Sequence, residues 1–474
     1  MINLNDFRTH GHQLIDWVAD YFENIQTYPV QSQVAPGDIL QQLPAAAPAH
    51  GEDFDRIFED FQKIIMPGIT HWQHPGWHGY FTANNSYPSV LAELLTAALG
   101  AQCMSWSTSP AATELEQRVM EWLRDMTGLP RHFSGVIQDS ASTATLVSLL
   151  TARETKTNYA INAGGFQSQP SFTLYCSEQA HSSIERAVKI AGFGRESLRK
   201  IAVDENFALL PTALDEAIIS DLSAGHVPLA VIAAIGTTGS TAVDPLKEIG
   251  TICQKHNLWL HVDAAWAGSA MVLPELRYMI DGVEMTDSYV FNPHKWMFTN
   301  FDASAYFVAD KAALIRTFEI LPEYLKTKEG DTVNNYRDWG IQLGRRFRAL
   351  KLWFVIRSYG VDALRQTIGN HIRWATDFGR WVDEDAQWEL LAPAPLATAC
   401  FRYNPHRSDD EAALNKLNQR LLESVNRSGM IFISHTTLGT KYTLRMVVGQ
   451  THTQQHHVAL AWEVIKTTAR KLEH

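Results

Sequence analysis

Ser288-Tyr289-Val290-Phe291-Asn292-Pro293-His294-Lys295-Trp296 sets one lysine directly behind a short apolar run. Upstream, the apolar run from Leu258 to Val262 ends in Asp263-Ala264-Ala265. Runs of this length and composition predict strands buried on both faces, as in a parallel sheet. Their surroundings agree. Phe172–Cys176, Ile201–Val203, Leu229–Ile235 and Ala303–Val308 are further strand candidates. They alternate with helical patterns at Ser142–Glu154, Ser182–Ala191 and Leu246–His256. Alternating strands and helices over about 200 residues predict an α/β fold with a mostly parallel central sheet. Ligands on such sheets collect at the carboxyl ends of the strands, where Asp263 and Lys295 are placed.

Outside this region the pattern changes. Residues 1–87 predict an N-terminal helical segment used for dimerisation, with Leu14, Ile15, Trp17, Val18, Tyr21 and Phe22 at helical spacing. Residues 88–360 form the large domain. Residues 361–474 mix strand-like runs (Ala399–Tyr403, Tyr442–Val448) with the helical Asp410–Ser428, a small α+β C-terminal domain. The 474 residues are 45% hydrophobic and carry a formal net charge of -11, which argues against nucleic acid or an anionic membrane surface as partner. Cys103, Cys176, Cys253 and Cys400 lie far apart with no CxxC pair, so neither a metal site nor a disulfide framework is signalled. No leader-like or membrane-spanning apolar stretch appears, and a cytoplasmic protein is expected.

A lysine behind a strand is usually a solvated surface residue, and an aspartate there is more often a turn or cap. The two together suit pyridoxal phosphate. The lysine would form a Schiff base with the cofactor aldehyde, and the carboxylate would keep the pyridine nitrogen protonated. The phosphate calls for backbone N–H groups, hydroxyls and a helix N-terminus. Asp139-Ser140-Ala141-Ser142-Thr143 offers these, although read alone it is an ordinary Ser/Thr cap; Gly236-Thr237-Thr238-Gly239-Ser240 offers more hydroxyls. His181 is either a capping histidine or a ring stacked on the pyridine. His294, beside Lys295, could reach the phosphate or shift the pKa of the lysine.

Several segments carry a resemblance to a known family. They are His74-Pro75 with Tyr80-Phe81, Ser86-Tyr87-Pro88, Ser109 to Glu116, Ser140-Ala141-Ser142, Ala180 to Ala187, His261 to Gly268, Phe291 to Trp296 and Gly344-Arg345-Arg346-Phe347-Arg348. Over nearly its whole length the chain resembles the pyridoxal-phosphate group II decarboxylases, specifically the aromatic-L-amino-acid decarboxylases. The resemblance implies an aspartate aminotransferase-like fold (fold type I) and a homodimer with a shared active site. It implies conversion of an aromatic L-amino acid, such as tryptophan, 5-hydroxytryptophan or DOPA, to its amine and CO2. Lys295 would hold the cofactor, Asp263 would pair with its ring nitrogen and His181 would stack on the ring. Ser140, Ala141, Ser142, Thr238, Ala265, Asn292 and His294 would complete the cofactor site. Tyr324 matches the tyrosine of the family's catalytic loop. Trp72, Tyr80, Phe81 and Thr82 would line the substrate pocket with His181, joined by Gln102 and Met104 from the partner subunit and by Gly344.

The chain departs from the animal enzymes in places. Asp139 replaces a glycine beside the phosphate segment, and its carboxylate is expected to point away. Thr82 replaces proline, Ala83 replaces a substrate-contacting threonine and Met104 replaces an aromatic residue. Gly344 is what relatives acting on indole or catechol rings tend to carry. A glutamate or diaminobutyrate decarboxylase and an aminotransferase are the nearest rivals, and an acidic substrate would need a cation where Trp72, Tyr80 and Phe81 stand. A nicotinamide enzyme is disfavoured because no GxGxxG follows a strand.

Overall fold

The computed structural model describes residues 3–167, 169–320 and 332–473. The chain divides into two compact units, one of Met1–Thr82, Asp377–Leu391 and Phe401–His474, the other of Ala83–Thr376 and Ala392–Cys400. The N-terminal and C-terminal segments, separate by sequence pattern, thus fall in the same unit. The expected boundary at 360/361 falls at a bend in the helical stretch Arg348–Glu384, where Gly360 takes φ +70°, whereas the compact units divide at Thr376/Asp377.

Among the described residues there are twelve strands. They are β1 (Trp77–His78), β2 (Ser134–Gln138), β3 (Phe172–Ser177), β4 (Leu198–Ile201), β5 (Val227–Ala234), β6 (Trp259–Asp263), β7 (Ser288–Phe291), β8 (Ser304–Val308), β9 (Trp388–Leu390), β10 (Thr398–Tyr403), β11 (Phe432–Leu438) and β12 (Lys441–Val447). The second unit is built on a seven-stranded sheet of order β2-β8-β7-β6-β5-β3-β4. β4, β3, β5, β6 and β7 run parallel, and β8 is antiparallel to both β7 and β2. The mostly parallel sheet expected from the apolar runs is present. The fourth strand lies at Leu198–Ile201 rather than Ile201–Val203, because Leu198 and Ile201 supply its buried residues while Val203 makes only an isolated bridge to Leu209. The first unit holds a sheet of order β1-β11-β12-β10-β9.

β3, β5 and β7 are almost wholly buried, so helices cover both faces of the large sheet. One core cluster gathers Leu174, Cys176, Ile184, Val188, Ala230 and Ile232. Another joins Ala144 and Val147 of the helix Ala141–Lys156 to Val290, Tyr306 and Val308. These contacts seat that helix over β7 and β8, with its N-terminus beside the carboxyl end of β2. All four cysteines are buried, and none is in a disulfide. No helix among the described residues is long and apolar enough to cross a membrane.

Candidate active site

β6 and β7 are adjacent parallel strands with Asp263 opposite Val290. Two backbone hydrogen bonds extend the ladder past the strand ends, from Ala264 N–H to Val290 (2.9 Å) and from Asn292 N–H to Ala265 (3.0 Å). The turn after β6 is therefore tied to the turn after β7. Asn292 opens a single helical turn, Pro293–Trp296, with proline at its first position, where a missing N–H costs nothing. Lys295 sits on that turn. The Asn84 side chain donates to the Lys295 carbonyl, and Asn84 N–H donates to His294 (3.0 Å).

Two features that sequence reading gave no role hold these turns together. Trp266 and Trp296 stack with centroids 4.3 Å apart and planes 5° from parallel, and Trp296 Nε1 donates to His371 Nδ1 at 3.0 Å. Both tryptophans stand three or fewer residues behind a site residue, which was the available signal. A Cβ on Gly268 would lie 2.3 Å from Phe291 Cβ, so only glycine permits this approach. Beneath the site, buried His261 bonds Ser288 Oγ through Nδ1 (2.9 Å) and Thr145 Oγ1 through Nε2 (3.2 Å). Residues i and i+2 of a strand share a face, so His261 faces as Asp263 does and links β6 to the helix Ala141–Lys156.

The electrostatics follow from burial. Desolvation holds the Lys295 ammonium below its ordinary pKa, and nearby Asp263 opposes this. Desolvation likewise lowers His181, with Asp263 raising and Lys295 lowering it, so the three side chains lie within electrostatic reach of one another. His181 caps the helix Ser182–Ile190, its Nδ1 accepting from Ser183 N–H (3.2 Å) and facing Ser183 Oγ (2.7 Å). Nε2 is left to carry the proton. His294 is pushed down to about 3 by burial first and by Lys295 second. Its Nδ1 accepts from Ala303 N–H at 3.0 Å.

The phosphate candidates also gather at strand ends. Ser140 caps the helix Ala141–Lys156 by accepting from Thr143 N–H (3.2 Å), and its hydroxyl donates to Asp139 Oδ1 (3.0 Å). Ala141 and Ser142 stand in the first turn, whose N–H groups have no intrahelical acceptor. Asp139 keeps its first oxygen on that cap hydroxyl, and its second accepts from Gln342 Nε2. Gly236, at φ +80°, starts the loop behind β5, with Thr238 half-buried and Thr237 Oγ1 3.2 Å from Ser240 Oγ. Asn292 Oδ1 accepts from Ser304 Oγ (2.7 Å), orienting the amide. A helix N-terminus, hydroxyls, a half-buried carboxylate and a desolvated lysine are the donor set that pyridoxal phosphate requires, so these residues fit the cofactor.

The proposed substrate residues fall in two groups. Trp72, Tyr80, Phe81 and Thr82 belong to the other unit. There Trp72 packs on Trp77 (4.2 Å) and Tyr80 (5.8 Å), and the Arg445 guanidinium lies 5.4 Å from the Phe81 ring. Gln102, Met104 and Gly344 come together in the second unit. Arg345 N–H donates to Gln102 Oε1 (2.7 Å), Cys103 N–H to Arg345 (3.0 Å) and Arg337 N–H to Met104 (2.9 Å). Tyr324 lies outside the described residues.

Comparison with known proteins gives the family. Residues 36–404 match the pyridoxal-dependent decarboxylase conserved domain. The chain is 43% identical to tryptophan decarboxylase 2 of Oryza sativa subsp. japonica, over 99% of this chain and 96% of that protein. It is also 43% identical to phenylacetaldehyde synthase of Arabidopsis thaliana, over 98% and 96%. The crystal structure of Oryza sativa TDC with PLP and tryptamine superposes with a TM-score of 0.97 at 34% identity, covering 100% of this chain and 99% of that one. With its fold type I sheet and its paired lysine and aspartate, the chain belongs to the pyridoxal-dependent decarboxylase family.

Proposed function

We propose that this protein removes the carboxylate of an aromatic L-amino acid, releasing CO2 and the arylalkylamine. The observation that carries the reading is the desolvated Lys295 beside Asp263 at the ends of adjacent parallel strands. The aromatic preference is supported by relatives named for tryptophan and tyrosine. Gly344, by lacking the Cβ that would crowd Gln102 Nε2, leaves room that favours a large ring.

When bound, pyridoxal phosphate supplies the electron sink for the bond that breaks. The chain supplies the rest. Low polarity around Lys295 favours the neutral amine that attacks a carbonyl carbon. The Asp263 carboxylate would hold the proton on the pyridine nitrogen, where negative charge would otherwise accumulate. Neutral His181 would cover the ring and offer Nε2–H to the substrate carboxylate. The first-turn N–H groups of Ala141 and Ser142, with Thr238 and Asn292, would hold the phosphate, helped by the helix dipole. Tyr324 is assigned as the acid that delivers a proton to the substrate α-carbon.

A homodimer is part of the proposal. Leu91, Leu94, Leu95 and Leu99 are exposed on the helix Tyr87–Leu99, an apolar face suited to a second copy. The test is to incubate the protein and pyridoxal phosphate with the common amino acids, DOPA and 5-hydroxytryptophan, then identify products by mass spectrometry. Tryptamine, dopamine, serotonin, tyramine or phenethylamine is the expected outcome. An aliphatic amine alone would refute the aromatic preference, and an aldehyde in place of the amine would favour the chemistry for which the synthase relatives are named.

A further inference from the structure

We propose that Asp139 is a positioning residue that fixes, from the cofactor side of one site, the residues this chain lends to the substrate side of the partner's site. The proposal deepens the reading above and rests on it for the identity of the substrate. Asp139 lies between β2 and the cap Ser140, beside the phosphate candidates. Its two carboxylate oxygens take different partners, Ser140 Oγ at 3.0 Å and Gln342 Nε2 at 2.5 Å. The second bond spans 203 residues of sequence and is charge-assisted, the stronger kind. Gln342 points inward between Ile341 and Leu343, which are each 52% exposed. The bond therefore pins the middle of a turn whose neighbours face outward.

That turn continues directly into the substrate-side contacts. Two residues after Gln342, a Cβ at Gly344 would lie 3.3 Å from Gln102 Nε2. At the next residue, Arg345 N–H holds Gln102 Oε1 and the Arg345 carbonyl receives Cys103 N–H. The placement of Gln102, and with it Met104, follows the placement of the turn. The same turn is braced at the start of the cradle by Gln138 Nε2, which donates to the Trp339 carbonyl at 3.1 Å. Asp139 thus links phosphate cradle and substrate loop, holding the cap Ser140 with one oxygen and Gln342 with the other.

The two consequences have opposite signs. Removing the carboxylate loosens the substrate side, yet takes a negative charge from beside a phosphate site. The experiment compares wild type, Asp139→Ala, Gln342→Ala and the double variant. In the apoprotein, amide hydrogen exchange at Arg345 and Cys103 is expected to quicken about tenfold in either single variant and no further in the double, because the bond is already broken. In the holoenzyme, KM for the aromatic amino acid is expected to rise about tenfold, with kcat within about twofold, from the loss of one charge-assisted bond. Pyridoxal phosphate affinity in Asp139→Ala should stay the same or tighten. Unchanged exchange at those two amides, losses that add in the double variant, or weakened cofactor binding with unchanged KM would each overturn the proposal. A wild-type enzyme inactive on every aromatic amino acid would overturn the substrate reading instead, and exchange in the apoprotein would still decide the role of Asp139.

Discussion

Lys295 and Asp263 show how a few ångströms of burial convert ordinary residues into reagents. A solvated lysine is protonated at neutral pH and cannot attack a carbonyl. Desolvation moves Lys295 toward the reactive form, and Asp263 keeps the charged state accessible. Lys295→Ala is expected to lower steady-state turnover by roughly four orders of magnitude, since no other amine replaces it. Substantial activity in that variant, measured as amine formed per minute, would remove Lys295 from its assigned role. Tyr324 is proposed to decide where the proton goes. Tyr324→Phe is expected to divert product from amine to aldehyde, ammonia and peroxide, read by oxygen uptake, and an unchanged amine yield would show that another group donates. Both residues were assigned their roles from the sequence. The roles of Trp266, Trp296 and His261 were not, because a tryptophan or histidine in an apolar run reads simply as core.

At the scale of elements, the arrangement depends on how the helix Pro110–Thr127 and β2 grip the turn at Arg345. Buried Glu116 Oε1 accepts from Arg345 (2.7 Å) and from Ile137 N–H (2.9 Å), while Arg345 also donates to the Ile137 carbonyl (2.8 Å). The Arg345 guanidinium lies 4.9 Å from the Tyr336 ring. Breaking one partner of a buried, hydrogen-bonded pair leaves a charge without compensation. Arg345→Met is expected to cost about 3–5 kcal/mol in chemical unfolding, and Arg345→Met with Glu116→Gln less than the sum of the singles. Additive losses would show that the two side chains act separately. The helices and strands of the second unit were largely legible in the sequence because their apolar periods are strong. β9, β11 and the long bent helix Arg348–Glu384 were less so. Short strands with mixed burial, such as Phe432–Leu438, carry little period-two signal.

For the molecule as a whole, buried histidines set the response to acid. Desolvation holds His261 in the second unit at about 4 and His294 at about 3, and holds His74, His78 and His457 in the first unit at about 4. Each has a folded pKa below its unfolded value near 6.5. Between about pH 6.5 and 4 the unfolded chain binds protons that the folded chain refuses, so stability falls as pH falls through that window. Above pH 6.5 these groups contribute no slope. His261→Gln is expected to flatten the fall, by on the order of 3 kcal/mol at pH 4 for a fully buried group. Urea unfolding at a series of pH values checks this; an unchanged slope would mean that His261 is protonated in the fold.

The sequence by itself determined the fold class and the cofactor, and it singled out the lysine and aspartate proposed to hold that cofactor. These rest on local signals: apolar runs of strand length, small residues and caps at their ends, and motifs that survive as contiguous strings. The tertiary structure decided what the strings do to one another. Only the register of β6 on β7 puts Asp263 beside the turn of Lys295, and only folding closes the Asp139–Gln342 bond across 203 residues. Such contacts join positions with no pattern in common, and their free energy comes from desolvation and geometry that exist only once the chain has packed.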